Sequence, residues 1–262
     1  MTSELMNRLQ RLFASGKKGL LSIYYTAGYP TLNSTIDIAE ALEKAGADFL
    51  EIGFPYSDPM ADGPTIQQSS QTALDNGMNL NVLFDQLGAL RKRVSIPVIL
   101  MGYANPMIQY GVERFCKKAA EVGVDGIIVP DLPMHEYEQL YSKYFNENNL
   151  SNIILVTPQT SADRIHKIDE LSDCFIYLLS SSSITGKSLD VNDIVDTYFR
   201  RIEDMHLKNP TIVGFGIANK TSYQKACAHH HGAIVGSAFV KYLGATENYL
   251  DGISDFIRQF KE

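Results

Sequence analysis

The sequence is 262 residues long, 45% of them hydrophobic, and carries a formal net charge of -7. This length and composition suffice for one large core, and barrels of this size do not usually divide, so we expect a single domain over residues 1–262. The acidic charge, with no basic stripe to offset it, argues against nucleic acid or an anionic membrane as a partner. No apolar run is long enough to span a bilayer.

The beginning of the chain predicts a helix ahead of the first strand. Its apolar side chains recur among polar ones, at Leu5, Leu9, Leu12 and Phe13. The acidic Glu4 and the missing apolar centre argue against a signal peptide.

The three cysteines, Cys116, Cys174 and Cys227, lie far apart without a C-x-x-C pair, which indicates reduced thiols in a cytoplasmic protein.

Further along the chain, short β-rich runs alternate with stretches of helical spacing. The runs are continuous in Ile, Val and Leu, as is typical of buried parallel strands. We predict strands over residues 20–25, 49–53, 97–101, 126–129, 153–156, 175–179, 211–214 and 233–236. Glycines mark the ends of several intervening helices, among them Gly46, Gly123 and Gly232.

About eight strand–helix units in series predict an α/β fold, a single closed (β/α)8 TIM barrel with the N-terminal helix added. An open, doubly wound parallel sheet is the alternative. It is disfavoured because Thr26-Ala27-Gly28-Tyr29-Pro30 follows the first strand, where a dinucleotide-binding sheet would carry G-x-G-x-x-G.

The second predicted strand carries an acid. Side chains alternate along a strand, so Leu50 and Ile52 face one way while Glu51 faces the other. A buried carboxylate is costly to desolvate, which favours its protonated form. The Pro- and Gly-containing loop that follows adds Asp58 and Asp62, and we assign the chemistry to Glu51 and Asp62. A structural ion pair is the alternative for Glu51, and capping of the next helix is expected for Asp58.

Glycines at the ends of the last strands predict an anion site. Barrels often bind phosphate on the loops after strands seven and eight, where glycine lets backbone N–H groups approach the anion. These loops contain Gly214-Phe215-Gly216-Ile217 and Gly236-Ser237, and Thr185-Gly186 follows strand six. Such a site is built from amides and requires no Lys or Arg, although a single G-x-G more often only permits a turn.

Three consecutive histidines, His229, His230 and His231, suggest a metal site at first sight. Successive helical residues diverge by about 100°, so three in a row cannot converge on one ion. We therefore predict no metal site and interpret the run as a solvated helix end.

Taken in order, these motifs resemble one known family. Residues 51–67 are similar, almost residue for residue, to the most specific segment of the tryptophan synthase alpha chain family. Further matches are Met101-Gly102-Tyr103-Ala104-Asn105-Pro106, Val129-Pro130-Asp131-Leu132-Pro133 and Thr185-Gly186. The resemblance covers nearly the whole chain. It implies a (β/α)8 barrel that reversibly cleaves indole-3-glycerol phosphate to indole and glyceraldehyde 3-phosphate in L-tryptophan biosynthesis, by acid–base catalysis.

The same resemblance implies roles for individual residues. Glu51 would carry protons, and Asp62 would stay ionised and bind the indole N–H. The indole pocket would consist of Tyr24, Ile66, Tyr103, Tyr177 and Phe215, and Thr185 would close onto Asp62. The phosphate would lie against Gly186, Gly216, Ile217, Gly236 and Ser237. Two departures from the family stand out, Tyr24 where Phe is common and the serine run at residues 180–183.

The resemblance also implies a partner. The family forms an α2β2 heterotetramer in which a beta subunit, the carrier of pyridoxal phosphate, receives indole through a tunnel. We therefore expect no cofactor in this chain, and expect residues 56–60 and 105–108 on the docking face. Two other functions stay open: a catalytically silent subunit that only activates its partner, and a stand-alone lyase that releases indole.

Overall fold

The computed structural model describes residues 6–179 and 191–261. Within these ranges the chain forms nine strands, all in one sheet. They are β1 (Leu20–Thr26), β2 (Phe49–Gly53), β3 (Val98–Met101), β4 (Gly126–Ile128), β5 (Ser151–Asn152), β6 (Leu155–Val156), β7 (Ile176–Leu179), β8 (Thr211–Gly214) and β9 (Gly232–Val235). Seven of the eight predicted strands are present within one residue at either end. The fifth, predicted over 153–156, is present only as β6 at 155–156, and β5 lies just before it.

The sheet is parallel throughout and closes on itself. Its strand order is β5-β4-β3-β2-β1-β9-β8-β7-β6. β5 and β6 are separated by two residues that continue the hydrogen bonding on both sides. The Ile153 N–H donates to the Ile127 carbonyl at 3.0 Å, and the Tyr177 N–H donates to the Ile154 carbonyl at 3.1 Å. The two ends of the sheet therefore meet, and the predicted TIM barrel is confirmed.

Most of the helices lie around the outside of the barrel. In the described residues they are α1 (Arg8–Ala14), α2 (Thr35–Ala45), α3 (Pro64–Asp75), α4 (Leu80–Leu87), α5 (Leu90–Arg93), α6 (Ala104–Tyr110), α7 (Val112–Glu121), α8 (Met134–Glu136), α9 (Ser142–Glu147), α10 (Ala162–Leu171), α11 (Val191–Asp204), α12 (Lys220–His229), α13 (Ser237–Ala245) and α14 (Ile253–Lys261). One π-helical turn, Tyr137–Tyr141, joins α8 to α9. Gly46 ends α2 in the left-handed conformation, with φ 98°, as its predicted role requires. The prediction for Gly232 was wrong: α12 ends at His229, and Gly232 is the first residue of β9.

The strands separate two layers of apolar side chains. Leu50 and Ile52 pack outward among the residues beneath the helices, whereas Phe49 faces the barrel interior. The alternation predicted for β2 is therefore confirmed. Inside the barrel, Phe13 of α1 stacks on Phe175 with 4.8 Å between ring centroids and meets Phe49 edge-on at 5.8 Å. Because Phe49 and Phe175 lie at the starts of strands, α1 plugs the N-terminal end of the barrel.

The histidine run lies at the end of a helix, as predicted, but its middle residue is not solvated. α12 ends at His229, and His230 is only 3% exposed. Its ring packs edge-on against Phe199, and its Nδ1 lies 2.9 Å from the Thr211 Oγ1. Burial lowers the pKa of His230 to about 4. The expected solvation was wrong for His230 because other elements bring Phe199 and Thr211 to its ring, and no local pattern indicates such contacts.

The remaining composition-based expectations concern metals, membranes and thiols. No group of three or more metal-binding side chains occurs in the part of the chain that the structure describes. No helix within residues 6–179 and 191–261 is long and apolar enough to cross a bilayer. All three cysteines are free thiols, with Cys116 and Cys174 buried and Cys227 partly exposed.

Candidate active site

Glu51 lies on the inner face of β2, in the middle of the barrel. Its register partners are Tyr24 on β1 and Ile99 on β3. The residue has 0% exposure, and neither carboxylate oxygen has a hydrogen-bond partner among the described residues. Burial alone raises the pKa of Glu51 to about 8. The predicted rise is confirmed, and the alternative of a structural ion pair finds no partner in the described part of the chain.

Asp62 lies on the loop that follows β2, and Tyr103 holds it. The Tyr103 hydroxyl donates to the Asp62 Oδ2 at 3.0 Å and accepts the Ala61 N–H at 2.9 Å. Burial raises the pKa of Asp62, and the hydrogen bond from Tyr103 opposes that rise because it stabilises the carboxylate. The loop is further fastened by the Gln67 side chain, which donates to the Asp62 carbonyl at 2.9 Å.

The predicted capping role of Asp58 is wrong. α3 begins at Pro64, and its N-cap residue is Gly63, which has no side chain to offer. Asp58 instead accepts a hydrogen bond from the Ser57 hydroxyl at 2.6 Å. Proline at the first helical position lacks the N–H that would need an acceptor, which lessens the need for a capping side chain.

A cavity of about 290 Å³ opens at the carboxyl ends of the strands. Four of the five residues assigned to the indole pocket line it, namely Tyr24, Ile66, Tyr177 and Phe215, together with Asp62. Tyr103 does not line this cavity. It lines a small adjoining one, which it shares with Asp62 and Tyr24.

Glu51 does not line this cavity itself, but two tyrosines beside it do, Tyr24 and Tyr177. Burial raises the pKa of both Tyr24 and Tyr177, and the nearby carboxylate of Glu51 adds to the rise for each. The two rings lie across glycines of the adjacent strands, where a Cβ at Gly53 or Gly214 would overlap a tyrosine hydroxyl. Glycine at these strand positions therefore makes room for the rings that surround the buried acid.

The glycine-rich loops after β8 and β9 form the other end of the cavity. Phe215 and Gly216 are both left-handed, with φ 66° and 73°. A bulky residue rarely adopts this conformation, and such strain tends to occur at functional sites. Gly236 is the N-cap of α13, so the backbone N–H groups of Ser237 and Ala238 at the start of the helix have no intrahelical acceptor, and Ser237 adds its hydroxyl. Within the described ranges, the residues predicted to bind the phosphate all line the cavity, namely Gly216, Ile217, Gly236 and Ser237.

Some site residues were missed, and others fall outside the described ranges. The cavity is also lined by Met101, Ala218, Ile234, Ala238 and Lys241. Inward alternation on β3 and β9 could have indicated Met101 and Ile234, and the four-residue spacing from Ser237 could have indicated Lys241. Thr185 and Gly186, with the serines at 180–183, lie outside the described residues.

The fold and the site define a class of protein: an α/β barrel with a small-molecule cavity beside two carboxyl groups, an arrangement that suits acid–base chemistry. The model of the family "Tryptophan synthase alpha chain" matches residues 9–261. The chain belongs to the tryptophan synthase alpha chain family.

Individual relatives agree with this assignment over nearly the full length. The tryptophan synthase alpha chain of Flavobacterium psychrophilum is 53% identical over 97% of this chain and 99% of its own. The tryptophan synthase alpha chain of Flavobacterium johnsoniae is 52% identical over 98% of this chain and 100% of its own. Among solved structures, a tryptophan synthase complex from Pyrococcus furiosus has a TM-score of 0.84 at 32% identity, over 94% of this chain and 98% of the matched one. The alpha chain from Legionella pneumophila has a TM-score of 0.86 at 31% identity, over 98% and 96%.

Proposed function

We propose that this chain is the alpha subunit of a tryptophan synthase and that it reversibly cleaves indole-3-glycerol phosphate into indole and glyceraldehyde 3-phosphate. The observation that carries the proposal is the position of Glu51. It is a fully buried acid without a hydrogen-bond partner among the described residues, beside a cavity that contains a second acid, Asp62.

The reaction breaks a carbon–carbon bond to an aromatic ring, which leaves poorly as a carbanion. Protonation of indole C3 makes an indolenine, whose C=N bond can accept the bonding electrons. A base then removes the proton from the hydroxyl group on the adjacent side-chain carbon. As the aldehyde C=O forms, the carbon–carbon bond breaks and its electron pair restores the indole. Both proton transfers require positioned groups that change protonation state near the working pH.

Glu51 has the properties of such a proton carrier. Because burial raises the pKa of Glu51 to about 8, the carboxyl group exchanges its proton close to neutral pH. Asp62 accepts the Tyr103 hydrogen bond, which favours its ionised form. An ionised Asp62 would bind the indole N–H and stabilise positive charge on the ring during C3 protonation.

The rest of the cavity supports binding of the two halves of the substrate. Tyr24, Ile66, Tyr177 and Phe215 would surround the indole, and the backbone amides at Gly216, Ile217 and Gly236, with Ser237, would bind the phosphate. From outside the described ranges, Thr185 would close onto Asp62 and Gly186 would add a further amide.

We also propose a beta-subunit partner and the α2β2 assembly. The tryptophan synthase complex among the structural relatives supports the partner. Pyridoxal phosphate would belong to that subunit, with none in this chain. A single catalytic domain is supported by the family match over residues 9–261, and a cytoplasmic location by the free thiols.

The test is the release of indole from indole-3-glycerol phosphate by the purified chain, with and without a beta subunit. We expect E51Q and D62N each to lower the rate by about 100-fold or more, since general acid–base groups contribute about that much. D58N is the matched control on the isolated chain, because Asp58 is an exposed carboxylate on the same loop, and its rate should stay within about twofold.

Three results would change the proposal. Retention of most of the rate by E51Q would remove Glu51 as the proton carrier. A wild-type chain that makes no indole but stimulates a beta subunit would be a silent regulatory subunit. High turnover that a beta subunit does not alter would indicate a stand-alone lyase.

A further inference from the structure

A lysine lies at the predicted anion end of the cavity. Lys241 lines the cavity with Gly236 and Ser237, and it is exposed to solvent. Among the described residues that line this cavity it is the one cation, and it forms no ion pair within the described ranges. Its charge is therefore free to act on a ligand.

Helix geometry directs this lysine toward the glycine loops. Lys241 follows Ser237 by four residues on α13, which places the two on one face of the helix about 6 Å apart along its axis. Side chains on a helix lean toward its N-terminus. We therefore expect the long lysine stem to extend back along α13 toward Ser237 and Gly236, with which it lines the cavity.

The charges around the cavity show why a cation would favour anion binding there. Asp62, at the other end of the cavity, and the net charge of -7 both oppose the approach of an anion. Backbone amides and a hydroxyl supply hydrogen-bond donors but only partial charges. A lysine beside them supplies a full positive charge to a phosphate monoester, which is close to a dianion at neutral pH.

We propose that Lys241 determines specificity for the charged phosphate end of the substrate, by pairing its ammonium group with a phosphate dianion bound at Gly236 and Ser237. This inference rests on the proposed function for the identity of the substrate. It revises the interpretation that the anion site needs only amides.

The first test measures binding without catalysis. Inorganic phosphate and glycerol 3-phosphate are titrated into the wild-type chain, K241M and K241R by calorimetry at low ionic strength. We expect K241M to bind both probes about tenfold more weakly and K241R to stay within about threefold of wild type. Added salt should weaken binding to the wild type more than to K241M. K92M is the matched control, because Lys92 is an exposed lysine on α5 outside the cavity lining.

The second test uses the lyase reaction. The phosphate is remote from the bond that breaks, so K241M should raise KM about tenfold and leave kcat within about twofold. A fall in kcat at unchanged KM would overturn a role in phosphate binding.

Failure of this proposal is distinguishable from failure of the proposed function. Equal binding of both probes by wild type and K241M, or no binding by the wild type, would overturn the role of Lys241 whether or not the chain is a lyase. If the wild-type chain makes no indole but K241M still binds phosphate more weakly than the wild type, the role of Lys241 stands and the proposed lyase reaction fails.

Discussion

Among single side chains, Tyr103 acts on Asp62 rather than on the cavity itself. Replacement by phenylalanine removes the hydrogen bond to the Asp62 Oδ2 and the acceptor of the Ala61 N–H. A hydrogen bond to a charged group contributes about 1.5–3 kcal/mol, so we expect Y103F to lower kcat/KM by about tenfold or more. Loss of the bond also raises the pKa of Asp62. The acidic limb of the pH profile should therefore shift to higher pH if Asp62 acts ionised.

The control for this variant is Y198F. The Tyr198 hydroxyl is also buried and donates to the Val156 carbonyl at 3.0 Å, on the outer side of the barrel. Its loss should lower stability without moving the pH profile. An unshifted profile in Y103F would show that Tyr103 does not position Asp62.

Glu51 also makes the stability of the protein depend on pH. Its pKa is about 8 in the folded chain and near 4.5 when unfolded. Between these pH values the folded state binds more protons, so the free energy of unfolding falls as pH rises. E51Q lacks this ionisation. It should match the wild type near pH 4.5 and exceed its stability above pH 8, by up to roughly 4 kcal/mol.

Urea unfolding of the wild type and E51Q across pH 4.5 to 8.5 measures this difference. E51D is the informative second variant, since it retains a titrating carboxyl at the same place. A gap between wild type and E51Q that stays constant with pH would mean that Glu51 is not buried as described.

Of the secondary structure elements, α1 has a role separable from catalysis. Its Phe13 fills the N-terminal end of the barrel against Phe49 and Phe175, far from the cavity. F13A leaves a cavity in that packing, so we expect a loss of about 3–5 kcal/mol in the free energy of unfolding. The rate per folded molecule should remain within about twofold.

Chemical unfolding and lyase assays on the same samples check this expectation. R11A removes an exposed side chain from the same helix and should cost less than about 0.5 kcal/mol. A loss of activity in F13A at temperatures where it is fully folded would show that the plug and the catalytic end are coupled.

For the molecule as a whole, the predicted docking segments carry exposed apolar side chains. Met60 is 92% exposed and Ile108 is 44% exposed. These segments also contact the site: the Asn105 amide donates to the Tyr56 hydroxyl at 3.0 Å, and the Tyr56 ring lies 5.4 Å from that of Tyr103. A partner bound to these segments would therefore contact residues that pack against Tyr103, which donates a hydrogen bond to Asp62.

We expect I108E to retain the rate of the isolated chain and to weaken binding of a beta subunit by about tenfold or more, because it places a charge in an apolar contact. L250E is the matched control, since Leu250 is 40% exposed and lies after α13, outside both segments. Indole production measured at increasing concentrations of a beta subunit gives the rate of the isolated chain and the affinity for the partner, for each variant. Equal effects of the two variants would exclude residues 105–108 as a docking segment.

Local patterns in the amino-acid sequence predicted the strands, the glycines that follow α2 and α7, and the positions of Glu51 on β2 and of Asp62 on the next loop. Each of these depends on residues that are close neighbours along the chain. The contacts between distant parts of the chain were determined only by the closed barrel. The full burial of Glu51, the bond between Tyr103 and Asp62, the burial of His230 beside Phe199 and the place of Lys241 at the cavity all join separate elements. Such contacts have no local signal, because they exist only once distant strands and helices are packed together.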